Sequence, residues 1–200
     1  MTHDPATLRF YDRTAPDYIA SGPGGTSPTL APFLAALPPG AHVLELGCGA
    51  GRDAQALIAA GHHVTPTDGS PAMAAQAEAR LKLPVRTMRF DELDADAQYD
   101  AIWSNAALLH VPRPGLPDII ARIHRALRPG GILGASVKGG GQEGRDDEGR
   151  YFNYLAPQEL RALFDRPGSW QVERLTDYMG GGYGPGRRGP WVAVIARRGA

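Results

Sequence analysis

Short apolar runs alternate along the chain with stretches of helical periodicity. Val43, Leu44 and Leu46 lie in an apolar run without clean alternation, which is typical of a strand covered on both faces. Further short strands are predicted at 63–67, 84–89, 99–104 and 132–137. Between them, apolar spacings of three and four residues predict helices at 52–60, 71–82 and 116–127. This alternation predicts a parallel sheet with right-handed crossovers.

The chain on either side of this core has a different pattern. Two helices are predicted before it, at 8–20 and 28–37, with Pro16 interrupting the first. After it, residues 138–150 are rich in glycine and charge and are predicted to form a loop, which a helix at 157–164 follows. Strands at 170–178 and 190–197 have only the glycine-rich stretch 180–189 between them, so we expect an antiparallel hairpin.

A glycine turn, Glu45-Leu-Gly-Cys-Gly-Ala-Gly51, connects the first strand to the first core helix. Three glycines in five residues permit a sharp turn and a close approach of a ligand to the backbone. The third glycine comes one residue earlier than in the dinucleotide fingerprint, and no Gly-Lys-Ser/Thr sequence of a phosphate loop follows. The carboxylate of Glu45 suits a cationic ligand better than a pyrophosphate.

Four elements resemble the class I methyltransferases that use S-adenosylmethionine. The glycine turn resembles their first motif, and Asp68 matches their ribose-binding acid. Residues 99–104 resemble their fourth strand, and residues 127–133 resemble the turn into their fifth. The resemblance covers about residues 40–137.

This resemblance implies a Rossmann-like three-layer α/β/α sandwich, with a mostly parallel seven-stranded sheet and an antiparallel C-terminal hairpin strand. We expect residues 1–200 to be a single methyltransferase domain. Within it, 1–39 is a helical cap, 40–137 the cofactor-binding core, and 138–200 the substrate-side loops and closing strands.

The resemblance also implies S-adenosylmethionine as cofactor, with S-adenosylhomocysteine as product. Glu45 and the turn would hold the methionine part, Asp68 the ribose, and Phe90 with Asp91 the adenine, although a solvated acidic turn explains Asp91 equally well. The cofactor-binding candidates are Tyr11, Tyr18, Glu45, Gly47, Cys48, Gly49, Gly51, Asp68, Gly69, Ser70, Phe90, Asp91 and Asn105. Tyr11 and Tyr18 are candidates for cover over the ligands, or else they pack their helix onto the domain.

Two side chains are catalytic candidates. His110 follows the fourth strand, near the expected reaction centre, and is a candidate general base; a histidine satisfied at a helix start is the alternative. Tyr11 is the second. The substrate-binding candidates are Lys138, Arg145 and Arg150, which could grip a carboxylate or phosphate, and Tyr154, which could line an aromatic pocket. Four acids in the same loop also fit a simple solvated segment.

Composition narrows the function further. The 200 residues have zero formal net charge, which argues against a nucleic-acid or anionic-membrane surface. One cysteine excludes an intrachain disulfide, no Cys/His cluster has zinc spacing, and no apolar run is long enough for a membrane span. We therefore expect a cytoplasmic protein, a monomer or homodimer, without a metal and with a small-molecule substrate.

The predicted function is methyl transfer to a small-molecule acceptor by direct in-line displacement. Three alternatives stay open at this point. They are an NAD(P)-dependent Rossmann oxidoreductase, a non-catalytic cofactor-binding module, and a protein or RNA methyltransferase with an exposed groove.

Overall fold

The computed structural model describes residues 2–21, 25–165, 169–182 and 188–199. One sheet lies at its centre, and its strands are β1 (His42–Leu46), β2 (His63–Asp68), β3 (Arg86–Thr87), β4 (Tyr99–Asn105), β5 (Leu127–Lys138), β8 (Trp170–Gly181) and β9 (Arg188–Arg198). Their order is β3-β2-β1-β4-β5-β9-β8. The first five strands are parallel, and β9 runs antiparallel to both β5 and β8. The predicted seven-stranded fold is confirmed.

Helices cover both faces of the sheet: α1 (Pro5–Ser21), α2 (Leu30–Ala36), α3 (Arg52–Ala59), α4 (Pro71–Leu81), α5 (Leu116–Ala126) and α6 (Pro157–Ala162). On one face, Ile119 and Ile123 of α5 join a cluster with Ile102 and Leu133 of the sheet. On the other face, a second cluster joins α2 and α3 to the sheet. None of the described helices has both the length and the apolar character needed to cross a bilayer.

The boundaries of several elements differ from the prediction. The first helix continues through Pro16, because this proline is exposed and water can satisfy the carbonyl group that lacks its helical partner. Strand β5 begins at Leu127 rather than at 132, while β3 has only two residues. The connection between β8 and β9 includes residues 183–187, which lie outside the described residues.

The predicted loop at 138–150 contains a strand, so this expectation was wrong in part. Strand β6 (Gly144–Arg145) pairs antiparallel with β7 (Tyr151–Phe152) and forms a small hairpin. Asp146 closes its turn, since the carboxylate accepts a hydrogen bond of 2.9 Å from the Arg150 backbone N–H. The hairpin also contacts α1, where the Thr7 hydroxyl accepts a bond of 2.9 Å from the Tyr151 N–H. These long-range contacts stabilise a pairing that local sequence does not indicate.

Candidate active site

A cleft of about 460 Å³ lies at the carboxyl ends of the parallel strands, with α1 along one side. Open α/β sheets bind ligands at this edge, where the strand order reverses. The reversal here falls between β1 and β4, the two neighbouring strands at the centre of the sheet. The glycine turn after β1 therefore forms the floor of the cleft.

Backbone conformation explains the glycines of this turn. Gly47 and Gly49 have φ values of 76° and 55°, which side chains disfavour. A Cβ atom on Gly47 would lie 2.5 Å from the Cβ of Ala107. The Gly47 and Cys48 N–H groups donate to the carbonyl of Thr67 at 2.9 and 2.8 Å, which ties the turn to β2.

Three carboxylates gather beside the turn. Glu45 is 3% exposed, and its Oε2 atom has no hydrogen-bond partner among the described residues. Burial raises the pKa of Glu45 well above its usual value, and the nearby charges of Asp53 and Asp68 add to this effect. Burial likewise raises the pKa of Asp68 to about 6, although the N–H groups of Ser70 and Gly49 oppose the shift. This end of the cleft is therefore suited to a positively charged ligand.

Asp53 links the segment before α2 to the sheet. Its carboxylate accepts bonds from the Ser27 N–H at 2.8 Å and from the Trp103 indole N–H at 2.9 Å. The Ser27 hydroxyl in turn donates to Oδ1 of Asn105 at 2.9 Å. The Ser136 hydroxyl donates to the same oxygen at 2.6 Å. These bonds hold residues from four parts of the chain around one side of the cleft.

His110 and Tyr11 meet across the cleft. The Tyr11 hydroxyl and Nε2 of His110 are 2.8 Å apart, and Nδ1 of His110 is 2.6 Å from the Tyr151 carbonyl oxygen. The pKa of His110 is lowered to about 4 by burial and by the positive charges of Arg150 and Lys138, against the opposing effects of the Tyr151 carbonyl and Asp146. Burial raises the pKa of the Tyr11 hydroxyl well above its usual value. Both side chains are therefore neutral near pH 7.

Cations and aromatic rings also line the cleft. Arg150 is 2% exposed, bonds Asp146 through Nε and Nη2 at 2.9 and 2.7 Å, and lies 4.7 Å from the ring centre of Phe10. Lys138 Nζ, at the end of β5, lies 4.2 Å from the ring centre of Phe152. The Arg150 guanidinium lies 5.3 Å from the same ring.

Sequence comparison shows that the central part of the chain is similar to methyltransferases. A family model described as a methyltransferase domain matches residues 43–131. The trans-aconitate 2-methyltransferase of Deinococcus radiodurans is 36% identical over 101 residues, which are 50% of this chain and 38% of that protein. The ubiquinone biosynthesis O-methyltransferase of Xylella fastidiosa is 36% identical over 105 residues, covering 49% and 42% of the two chains. The chain therefore spans less than half the length of these curated relatives.

Solved structures extend the similarity to nearly the whole chain. The 1,6-didemethyltoxoflavin-N1-methyltransferase of Burkholderia thailandensis superposes with a TM-score of 0.76 at 22% identity, over 98% of this chain and 88% of that one. The magnesium protoporphyrin IX methyltransferase of Synechocystis gives a TM-score of 0.72 at 18% identity, over 98% and 97%. Residues 43–131 thus match a methyltransferase family model, and the fold is that of solved methyltransferases. The predicted resemblance to class I methyltransferases is confirmed.

Most of the site residues predicted from the sequence line the cleft. The cofactor-binding candidates among them are Tyr11, Tyr18, Glu45, Gly47, Cys48, Gly49, Asp68, Gly69, Phe90 and Asn105. The catalytic candidate His110 and the substrate-binding candidates Lys138 and Arg150 also line it. The structure thus brings together side chains that the sequence separates by up to 139 positions, from 11 to 150.

Three predicted cofactor residues lie outside the lining of the cleft. Gly51 is the N-cap of α3 with a φ of 72°, and a Cβ there would lie 3.0 Å from Leu81 of α4. Ser70 is fully buried as the N-cap of α4, where its hydroxyl accepts a bond from the Met73 N–H. The Asp91 carboxylate accepts a bond of 2.7 Å from the Thr2 hydroxyl and is not directed into the cleft.

Two predicted substrate residues also lie outside it. Arg145 forms an ion pair with Asp4 at 2.6 Å, which holds the small hairpin against the start of α1. Tyr154 has a φ of 42°, and its ring centre lies 5.6 Å from that of Phe152, which does line the cleft. Both residues support the walls of the cleft rather than line it.

Sequence reasoning missed several side chains that line the cleft: Asp53, Met88, Tyr178 and Trp191. Asp53 follows the glycine turn by two positions, so its place in the first turn of α3 was a usable signal. Tyr178 and Trp191 are partners in the β8–β9 register, and their rings stack at 6.2 Å. Only the register of that hairpin brings them together, and this register was not predictable.

Proposed function

We propose that this protein is an S-adenosylmethionine-dependent methyltransferase that acts on a small molecule. The family, the cleft at the strand ends and the partition of charge within the cleft support this function. The Burkholderia relative was solved with S-adenosylhomocysteine bound, and the Synechocystis relative with S-adenosylmethionine. The relatives named above act on small organic molecules, according to their names.

The unpaired carboxylate oxygen of Glu45 is the observation that carries the proposal. A buried carboxylate oxygen without a donor is costly, because the lost hydration is not replaced. A positively charged ammonium group beside it would supply both the missing hydrogen bond and the compensating charge. The turn with Gly47 and Gly49 lines the same cleft as Glu45, so the residues present fit the amino-acid end of the cofactor.

The other lining residues fit the remaining parts of the cofactor. Glu45 and the turn with Gly47, Cys48 and Gly49 would hold the methionine part. Asp68 would accept hydrogen bonds from the ribose hydroxyls, with Gly69 beside it. Phe90 would pack on the adenine ring.

Asn105 would contact the methionine end, while Tyr11 and Tyr18 of α1 would cover the ligands. When bound, the cofactor supplies an electrophilic methyl group. The residues of this chain contribute by binding the cofactor and the acceptor, by orienting them towards each other, and by excluding water from the cleft. We infer direct in-line transfer to the acceptor, because Cys48 is unsuited to carry the methyl group: burial raises the pKa of its thiol far above the usual value.

Calorimetric titration with S-adenosylhomocysteine tests this proposal. We expect binding to the wild type, and at least tenfold weaker binding to Asp68→Ala and Glu45→Gln, since each loses a charged hydrogen-bonding group. Asp118→Ala, on the exposed side of α5, is the matched carboxylate control and should bind like the wild type. Absence of binding to the wild type, or equal binding to all four proteins, would refute the proposal.

A further inference from the structure

We propose that the methyl acceptor is a phenol-type hydroxyl, that Nε2 of His110 takes its proton, and that Lys138 and Arg150 stabilise the oxyanion. This inference rests on the proposed function and specifies its substrate class. It follows from the hydrogen bonds of His110, from the positions of the cations, and from the aromatic walls.

The hydrogen bonds of His110 determine its tautomer. The Tyr151 carbonyl oxygen can only accept, so Nδ1 of His110, at 2.6 Å, carries the proton. In neutral imidazole the other nitrogen then has a free lone pair, and the Tyr11 hydroxyl at 2.8 Å donates to it. The small hairpin that carries Tyr151 therefore presents Nε2 to the cleft as a hydrogen-bond acceptor.

The groups around His110 keep it neutral. Tyr11 faces it from α1, Lys138 from β5, and Arg150 and Tyr151 from the hairpin, with Asp146 behind Arg150. Burial lowers the pKa of His110 to about 4, and the two cations act in the same direction. At pH 7 the imidazole is therefore ready to accept a proton, but it is a weak base.

A weak base restricts the acceptor. Proton transfer to it requires an acidic hydroxyl, which an aliphatic alcohol does not provide. Two nearby cations lower the pKa of a substrate hydroxyl and disfavour a cationic amine. Rings of Tyr11, Phe152 and Trp191 line the same region, and a flat aromatic acceptor suits such walls. A phenol-type hydroxyl meets all three conditions.

The proton step balances within the residues of the site. The O–H bond of the substrate breaks, its electron pair stays on the oxygen, and the proton moves to Nε2 of His110. The imidazolium keeps its Nδ1–H on the Tyr151 carbonyl. Nε2 has one lone pair, so the substrate hydroxyl displaces the Tyr11 hydroxyl from it. The Tyr11 hydroxyl is then available to donate a hydrogen bond to the new oxyanion.

Binding of para-nitrophenol, whose anion absorbs at longer wavelength than the neutral form, tests the proposal without turnover. We expect the ionisation constant of the bound probe to rise about tenfold or more over that of the free probe, because a cation acts at short range in a partly dry site. Lys138→Met should remove most of this shift, and Lys138→Arg should restore it. Lys82→Met removes the only other lysine, on the exposed end of α4, and should leave the shift unchanged.

Nitrogen-15 NMR of labelled histidine tests the proton acceptor. We expect the Nδ1–H tautomer for His110 in the free protein. When the probe binds at neutral pH we expect an imidazolium, because the adjacent phenolate raises the pKa of His110 above its value in the free protein. The proposal would be overturned if the probe did not bind, or if the bound probe had the same ionisation constant as the free probe. It would also be overturned if Lys138→Met left the shift in the ionisation constant unchanged, or if His110 stayed neutral beside an ionised probe. The probe titrations are run with and without S-adenosylhomocysteine. If the cofactor proposal fails, the calorimetric titration with S-adenosylhomocysteine shows it independently of the probe.

Discussion

Replacing Asp68 by asparagine tests whether burial controls the carboxylates of the cleft. Burial raises the pKa of Asp68 from 3.8 to about 6. A carboxylate whose pKa is higher in the folded state contributes its full stability below the unfolded pKa, and this contribution is lost as the pH rises through the folded pKa. The free protein is therefore less stable above about pH 6 than it would be with a neutral side chain at this position.

The magnitude follows from the two pKa values. Ionisation of Asp68 costs the folded state about 1 kcal/mol by about pH 4.5 and at most about 3 kcal/mol by about pH 8, since the half-buried side chain is partly solvated. The carboxylate accepts one bond from the Gly49 N–H and one from the Ser70 N–H, both at 2.9 Å. Asparagine has one carbonyl oxygen, so the variant loses one of these bonds, at about 1 kcal/mol regardless of pH.

The two effects combine into a dependence on pH. We expect the free energy of unfolding of Asp68→Asn to equal that of the wild type near pH 4.5 and to exceed it by up to about 2 kcal/mol near pH 8. The lost charge also relieves Glu45, which acts in the same direction. Urea unfolding of the cofactor-free proteins, followed by tryptophan fluorescence, measures this difference, with Asp118→Asn as a control that should show none. A difference that stays constant or falls between the two pH values would show that Asp68 ionises normally in the folded protein.

Two further substitutions test the packing and the cover of the cleft. Gly134→Ala should destabilise the protein by about 1–3 kcal/mol in urea unfolding, because its Cβ would lie 2.5 Å from a ring carbon of the buried Phe33. Gly144→Ala, at a half-buried position of β6, gains no contact closer than 3.9 Å and should change stability by less than about 0.5 kcal/mol. Arg145→Gln removes the ion pair with Asp4 and should speed amide exchange in residues 4–8 and 144–152, while global stability falls by no more than about 1 kcal/mol. Unchanged exchange there would show that the pair does not hold the hairpin to α1.

The parts of the site that the sequence predicted are those that local chemistry determines. The turn at Gly47 and Gly49 needs positive φ values, and no other residue type adopts them as easily. Asp68 ends a strand beside that turn, so the position of its side chain follows from the sheet alone. His110 follows β4 closely and was placed near the cleft for the same reason.

The parts that the sequence did not predict depend on distant partners. Asp91 is held outside the cleft by Thr2 and by Arg89, and no local pattern shows this arrangement. Asp53 follows the glycine turn closely, but the bonds that its carboxylate accepts come from Ser27 and Trp103, which are 26 and 50 positions away. Long-range hydrogen bonds of this kind become visible only when the chain is folded.

The family model matches only some of the residues on which the proposed substrate class depends. The family model ends at residue 131, so it includes the glycine turn, Asp68 and His110 but not the partners that orient His110. Its tautomer depends on the Tyr151 carbonyl, its second hydrogen bond on Tyr11, and its neutral state in part on Arg150 and Lys138. These four residues all lie outside the matched segment. The match to the family model therefore supports the proposed cofactor site at the glycine turn and Asp68, while the proposed acceptor rests on contacts that α1, the end of β5 and the small hairpin make in this chain.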